Sequence, residues 1–230
     1  ILAGNGFAGR VDSFKHVIAC ATPGGGDMAK LYDSTGDDLF VAAPNQATLS
    51  GPGFSIEAQG FRSIQSFAIA GGNDSANLYD SPGDDTLLAT PDSAALSGTG
   101  FYNRAGQFDA VTAFSSAGGA DLATFYGSPQ DDSFVSAPER ATLTGAQFRN
   151  TARAFRYVYA SAGGGYDTAQ LDGSPGDDVF LATPTYAVLL SGGFLYGVAA
   201  FDLVEVRGQG GSDAAKLYDI ANRDFPRIRA

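Results

Sequence analysis

The residues of this chain best suited to chemistry are its aspartates, because they recur at fixed distances. Asp27, Asp74, Asp121, Asp167 and Asp213 each end a Gly-Gly-x-Asp segment, so that one such corner follows another after almost the same length of chain. Eleven residues after each stands a second aspartate: Asp38, Asp85, Asp132, Asp178 and Asp224. Four of these are doubled, as Asp37/Asp38, Asp84/Asp85, Asp131/Asp132 and Asp177/Asp178. Of the 25 acidic residues only Glu57, Glu139 and Glu205 are glutamates. Charge placed for solubility alone would draw on both acids, whereas aspartate beside glycine belongs to turns and to oxygen-ligand sites. Two ionised neighbours repel unless water or a cation relieves them. Calcium takes six to eight oxygens at about 2.3–2.6 Å, and an Asp-Asp turn after glycine offers carboxylates and bare carbonyls to one point. The fourteen aspartates named above are the expected ligand set, with calcium as the ion. The alternative is that Asp38 and its equivalents cap turns through their own backbone, or blunt strand edges.

The same period governs the elements that must position these acids. Each unit continues with a proline (Pro44, Pro91, Pro138, Pro184) and, ten residues on, a phenylalanine (Phe54, Phe101, Phe148, Phe194). It closes with Phe-x-x-Val or Phe-x-x-Ile, at Phe61/Ile64, Phe108/Val111, Phe155/Val158 and Phe201/Val204. Full units span 23–70, 71–117, 118–162 and 163–209, with partial units at 1–22 and 210–230. Within Gly71–Ala117, Ser75–Tyr79 alternates small or apolar with polar residues, the period of a half-buried strand. Pro82-Gly83-Asp84, Pro91-Asp92 and Gly98-Thr99-Gly100 then punctuate further short strands, leaving no room for a three-turn helix. The class is all-β, with four or five strands per unit.

Repeats of this length make solenoids or propellers. A right-handed β-helix would fold each unit of about 47 residues into two coils of about 23, with parallel strands stacked coil on coil. Both sets of phenylalanines would then form an interior of identical aromatics stacked at the repeat period. A five-bladed propeller would instead be closed by the two ends, which carry Phe7, Phe14 and Val17 at one side and Asp213, Leu217 and Asp224 at the other. The recurrence of two aspartate turns eleven residues apart, and the small residues Ala19, Ala113 and Ala160, favour the β-helix.

Gly173-Ser174-Pro175-Gly176-Asp177-Asp178-Val179-Phe180-Leu181 resembles the nonapeptide of the repeats-in-toxin (haemolysin-type) family, G-G-x-G-x-D-x-U-x with U a large apolar residue. Gly173, Gly176, Asp178 and Phe180 occupy family positions, and Ser174 replaces the second glycine. The earlier units depart further: Asp33 and Asp80 stand for the first glycine, and Gln130 replaces a turn glycine. The resemblance implies a calcium-binding β-solenoid in which ions sit between successive turns, held by aspartates and backbone carbonyls. It covers less than half of each unit, and the aspartate turns here are eleven residues apart rather than nine. The whole unit also resembles repeat arrays of very large bacterial secreted or surface proteins.

Other candidates are sparser. His16 aligns with Ser63, Ala110, Tyr157 and Leu203 in the other units, a poor setting for a functional imidazole. Cys20 is the lone cysteine, so no internal disulfide forms, and it reads as a small packing residue. Arg140, Arg149, Arg153 and Arg156 gather in the third unit beside Tyr157 and Tyr159, either as a solvated face or as a patch for an anionic glycan. A net charge of −11 argues against nucleic acid, and no apolar run is long enough to span a membrane. Five similar acidic turns suit a repeated ion site better than the single asymmetric centre catalysis needs. The chain begins at Ile1 in mid-unit, as expected of a piece of a longer protein. The expectation is a non-enzymatic repeat module, structural or adhesive, secreted or at the cell surface, with glycans or other surface proteins as partners. The competing expectation is a carbohydrate-binding or polysaccharide-active domain.

Overall fold

The computed structural model describes residues 2–4, 7–9, 13–22, 25–218 and 227–229. Twenty-five strands and no helix occur among them. β1 (Leu2–Gly4) and β2 (Phe7–Gly9) form a separate antiparallel pair, and β3 (His16–Cys20) completes the first partial unit. The first full unit supplies β4 (Met28–Tyr32), β5 (Leu39–Ala43), β6 (Gln46–Gly51), β7 (Phe54–Gln59) and β8 (Ser63–Phe67). The second supplies β9 (Ser75–Tyr79), β10 (Thr86–Thr90), β11 (Ser93–Gly98), β12 (Phe101–Gly106) and β13 (Ala110–Phe114). The third holds β14 (Leu122–Tyr126), β15 (Ser133–Ala137), β16 (Arg140–Thr144), β17 (Arg149–Arg153) and β18 (Tyr157–Ser161). The fourth holds β19 (Thr168–Asp172), β20 (Val179–Ala182), β21 (Tyr186–Leu190), β22 (Leu195–Ala199) and β23 (Leu203–Arg207), followed by β24 (Ala214–Leu217) and β25 (Arg227–Arg229).

The strands build two sheets, one ordered β24-β20-β21-β22-β18-β14-β10-β11-β12-β8-β4 and the other β25-β23-β19-β15-β16-β17-β13-β9-β5-β6-β7-β3. The chain winds between them as a β-solenoid of about six turns. With strands about 4.8 Å apart the stack is about 50 Å long. Alternation does the sorting: in β9, Ala76 and Leu78 point inward and are buried while Ser75 and Asn77 point out. A propeller is ruled out by the ladders between units. β8 pairs in parallel with β12, and β5 with β9, so the backbone groups that a separate blade would leave at its edges join the next unit.

The coil differs in length from the one expected. Parallel neighbours include Ser75/Ala110, Leu39/Ser75 and Ser63/Tyr102, so one turn is far longer than the expected half-unit. The extra length is an antiparallel meander. In the first unit β5, β6 and β7 fold back and forth within one sheet, through Pro44-Asn45 (Asn45 at φ 62°) and then Pro52-Gly53. The unit therefore crosses between sheets three times, which is one and a half turns. Because three is odd, successive units present the same residues to opposite edges. In the second unit the meander β10-β11-β12 accordingly lies in the other sheet.

This half-turn also changes the packing of the phenylalanines. Phe61, Phe101, Phe108, Phe148, Phe155 and Phe201 are buried, and Phe54 and Phe194 are partly so. They do not stack on their own copies, which face the opposite edge. Phe108 meets Phe40 at 6.0 Å and Phe201 meets Phe134 at 6.2 Å, each a residue from another part of the repeat. Burying each ring contributes about 1.5–3 kcal/mol. Asp224 lies outside the described residues, and so does the side chain of Phe7.

Candidate metal centre

The acids sit at the two edges, where the chain passes from sheet to sheet. In the turn after β4, Asp38 points inward and its Oδ2 accepts the Ser34 N–H at 2.6 Å. The next coil continues the pattern: Asp74 Oδ1 accepts the Asp38 N–H at 2.8 Å, and Asp109 Oδ2 accepts the Asp74 N–H at 2.7 Å. Three coils are thus latched by carboxylates onto the N–H groups of the coil before. The latch recurs as Asp132–Asp167–Asp202 at the same edge, with bonds of 2.7 and 2.8 Å. At the opposite edge Asp121 accepts from Asp85 at 2.7 Å and Asp213 from Asp178 at 3.0 Å. Each doubled pair is split by this geometry. Asp38, Asp85, Asp132 and Asp178 are buried, whereas Asp37, Asp84, Asp131 and Asp177 are exposed and accept N–H bonds from Asn73, Ala120, Tyr166 and Ser212. Asp27, just before β4, is exposed.

Close approach makes two glycines obligatory in this arrangement. Gly72, at φ 126°, lies against the Gly36 carbonyl of the coil before, so the Gly-Gly-x-Asp corner has no room for a β-carbon. A β-carbon at Gly51 would overlap the Asp38 carboxylate.

Three aspartates that accept a latch bond from a buried corner aspartate bear the electrostatic load. Burial pushes Asp74, Asp121 and Asp167 above the usual carboxylate range; hydrogen bonds from backbone N–H groups, and at Asp121 from the Ser115 hydroxyl, pull them down, and the neighbouring aspartates push them up. Asp38, Asp33 and Asp109 surround Asp74. Asp33, Asp38 and Asp74 bring carboxylate oxygens within 4.8 Å of one another, a group that could hold a metal ion. Asp33 Oδ2 accepts the Ala70 N–H at 2.8 Å, but Asp33 Oδ1 is buried with no hydrogen-bond partner. A water or a hard cation is the kind of partner that satisfies such an oxygen.

The other units differ at this point for identifiable reasons. Asp80, Asp85 and Asp121 repeat the trio, but the Ser115 hydroxyl donates to Asp121 Oδ2. Ala68 occupies the corresponding position beside Asp74 and offers no hydroxyl. In the third and fourth units Gly127 and Gly173 replace the first acid. Asp33, Asp80, Asp109 and Asp202 lay outside the expected ligand set. Asp109 and Asp202 carried a signal: the residue after Phe61, Phe108, Phe155 and Phe201 alternates Arg62, Asp109, Arg156, Asp202. That two-unit alternation is the mark of units that swap edges.

The remaining candidates separate. His16 is exposed on the outer face of β3, 3.7 Å from Glu57, and Cys20 is exposed on the same strand. Arg140, Arg149 and Arg153 share the outer face of the 12-stranded sheet, Arg140 directly beside Arg153 and Arg149 at the other end of β17. Arg156 goes to an edge, its guanidinium 5.4 Å from the Tyr157 ring centre, and Tyr157 and Tyr159 face outward from the other sheet. Comparison of the chain with family models, curated proteins and solved structures finds no match.

Proposed function

We propose that this chain is a non-enzymatic scaffold or adhesive module of a secreted or cell-surface protein, and that its acidic corners take calcium. The observation that carries the calcium reading is the buried, unpartnered Asp33 Oδ1 in the group formed with Asp38 and Asp74. The resemblance of the Asp-Asp turns to haemolysin-type repeats points the same way, as does the series of carboxylate latches from coil to coil. In a calcium-poor compartment the trio's mutual repulsion weakens the first coils. Millimolar calcium outside the cell neutralises it and tightens them, because an ion bound only by the folded state stabilises that state by mass action. Thermal melting in chelator and in 10 mM calcium, followed by circular dichroism, tests this. Calcium should raise the melting temperature, and Asp33→Asn should remove most of the rise. Identical melting of the parent chain in both buffers would overturn the calcium reading.

A further inference from the structure

We infer that the outer face of the 12-stranded sheet carries a binding strip for a linear anionic polysaccharide, centred on Arg140, Arg149 and Arg153. The inference names a ligand class for the adhesive part of the proposed function and rests on that part alone, not on the cation. The register fixes the strip: Tyr79 on β9 lies beside Phe114 on β13, Phe114 beside Arg153 on β17, and Arg153 beside Arg140 on β16. At about 4.8 Å per strand these four side chains span about 14 Å. Arg149 lies on the same strand as Arg153, four residues or about 13 Å away.

Three features set this face apart from a solvated surface. Across β5, β9, β13, β17, β16 and β15 the outward-pointing residues include these three arginines and no acid. All three arginines are exposed, and none joins an ion pair among the described residues, although the chain carries a net charge of −11. The scaffold does not require them. The positions equivalent to Arg140 hold Gln46, Ser93 and Tyr186, and those equivalent to Arg153 hold Gln59, Gly106 and Ala199. Arg140 and Arg153, directly opposite each other on neighbouring strands, repel, a cost that a bound anion relieves.

The chemistry of the face selects the anion. Guanidinium forks bind carboxylate or sulfate through paired hydrogen bonds. Tyr79 and Phe114 stack at 4.8 Å with planes 8° apart, and Tyr79 is 36% exposed. Carrying the register of β5 and β9 on by one residue sets Ala43 at the far side of Tyr79, where its small side chain leaves room for a sugar ring. Asn77 and Thr112 continue the face with amide and hydroxyl groups suited to a polyhydroxylated chain. The strip crosses several neighbouring strands of one sheet face, so it suits an extended polymer rather than an enclosed small molecule. Most acids lie at the edges; on this face Asp172 of β19 stands two strands beyond Arg140, about 10 Å away, and Glu205 of β23 and Glu57 of β7 lie beyond the strip, so screening over about 8 Å at physiological ionic strength limits their repulsion of a bound chain.

The test is affinity electrophoresis and calorimetry of the full chain with polygalacturonate and heparin. Neutral dextran, poly-glutamate and single-stranded DNA serve as comparisons, all in 1 mM calcium. The parent chain should bind at least one of the two polysaccharide anions and not dextran. Arg140→Gln with Arg153→Gln should weaken that binding at least about tenfold with an unchanged circular dichroism spectrum, and Tyr79→Ala should weaken polysaccharide binding more than any binding of poly-glutamate. Binding that survives the double substitution, absence of binding to both polysaccharides, or tighter binding of poly-glutamate or DNA would each overturn the inference. Because calcium-dependent melting is read separately, failure of the strip leaves the scaffold reading standing.

Discussion

Ala68→Ser separates the proposed cation site from the carboxylate latch around it. In the second unit Ser115 donates its hydroxyl to Asp121, and its backbone N–H bonds the Arg153 carbonyl at 2.9 Å. Ala68 makes the matching backbone bond to Gly106, also at 2.9 Å, so a serine there starts from the same frame beside Asp74. A hydrogen bond to a charged acceptor contributes about 1.5–3 kcal/mol, and each kcal/mol moves the melting temperature of a chain this size by about 2–4 °C. In chelator, Ala68→Ser should therefore melt about 3–12 °C above the parent. Calcium at a hundred times its dissociation constant stabilises the parent by about 2.7 kcal/mol, or about 5–11 °C. In the variant that increment should fall by more than half, because the new hydroxyl competes for an Asp74 oxygen. The measurement is thermal melting of both chains by circular dichroism across a calcium titration. A calcium increment equal to the parent's, on a variant already stabilised in chelator, would refute the assignment of Asp74 to the ion.

Two further outcomes follow from the same geometry. Asp121 holds its proton more tightly folded than unfolded, so its stabilising contribution is complete below the unfolded carboxylate value, about 3.9, and is lost as pH rises through the raised folded value. Melting of Asp121→Asn against pH should show a weaker gain than the parent as pH falls from neutrality, and equal slopes would contradict the burial argument. The corner residue before each closing phenylalanine is left-handed: Gly60 at φ 77°, Gln107 at 61°, Ala154 at 61° and Ala200 at 64°. Ala154→Gly should relieve that strain and raise stability by up to about 1 kcal/mol, read by chemical denaturation; a loss of stability would contradict the strain argument.

Much of the architecture was legible in the residues. Alternation in segments such as Ser75–Tyr79, with glycine, proline and aspartate between them, specifies strands because a side chain every second residue must reach a dry interior. Of the phenylalanines that anchor each unit, Phe61, Phe101, Phe108, Phe148, Phe155 and Phe201 are buried where that pattern puts them, and Phe54 and Phe194 are partly so. The corner aspartates also announced themselves, since glycine followed by aspartate is what a tight turn with a carboxylate-bound N–H requires. Their partners were not legible. Asp33 stands at a position where the resembling family has glycine, and its role appears only when the next coil brings Asp74 beside it.

By itself, then, the sequence determined the strand class, the length of the unit, the apolar anchors and the acid character of the corners, all of which depend on residue type and local spacing. Tertiary structure alone decided that a unit makes one and a half turns. Period reports where identical residues recur along the chain, whereas contact depends on how many times the chain crosses between sheets. Three antiparallel strands staying in one sheet make that number odd. Equivalent residues consequently sit on opposite edges, and neighbours across the stack are closer in sequence than one full unit. The acid trio is therefore assembled by stacking rather than by repetition.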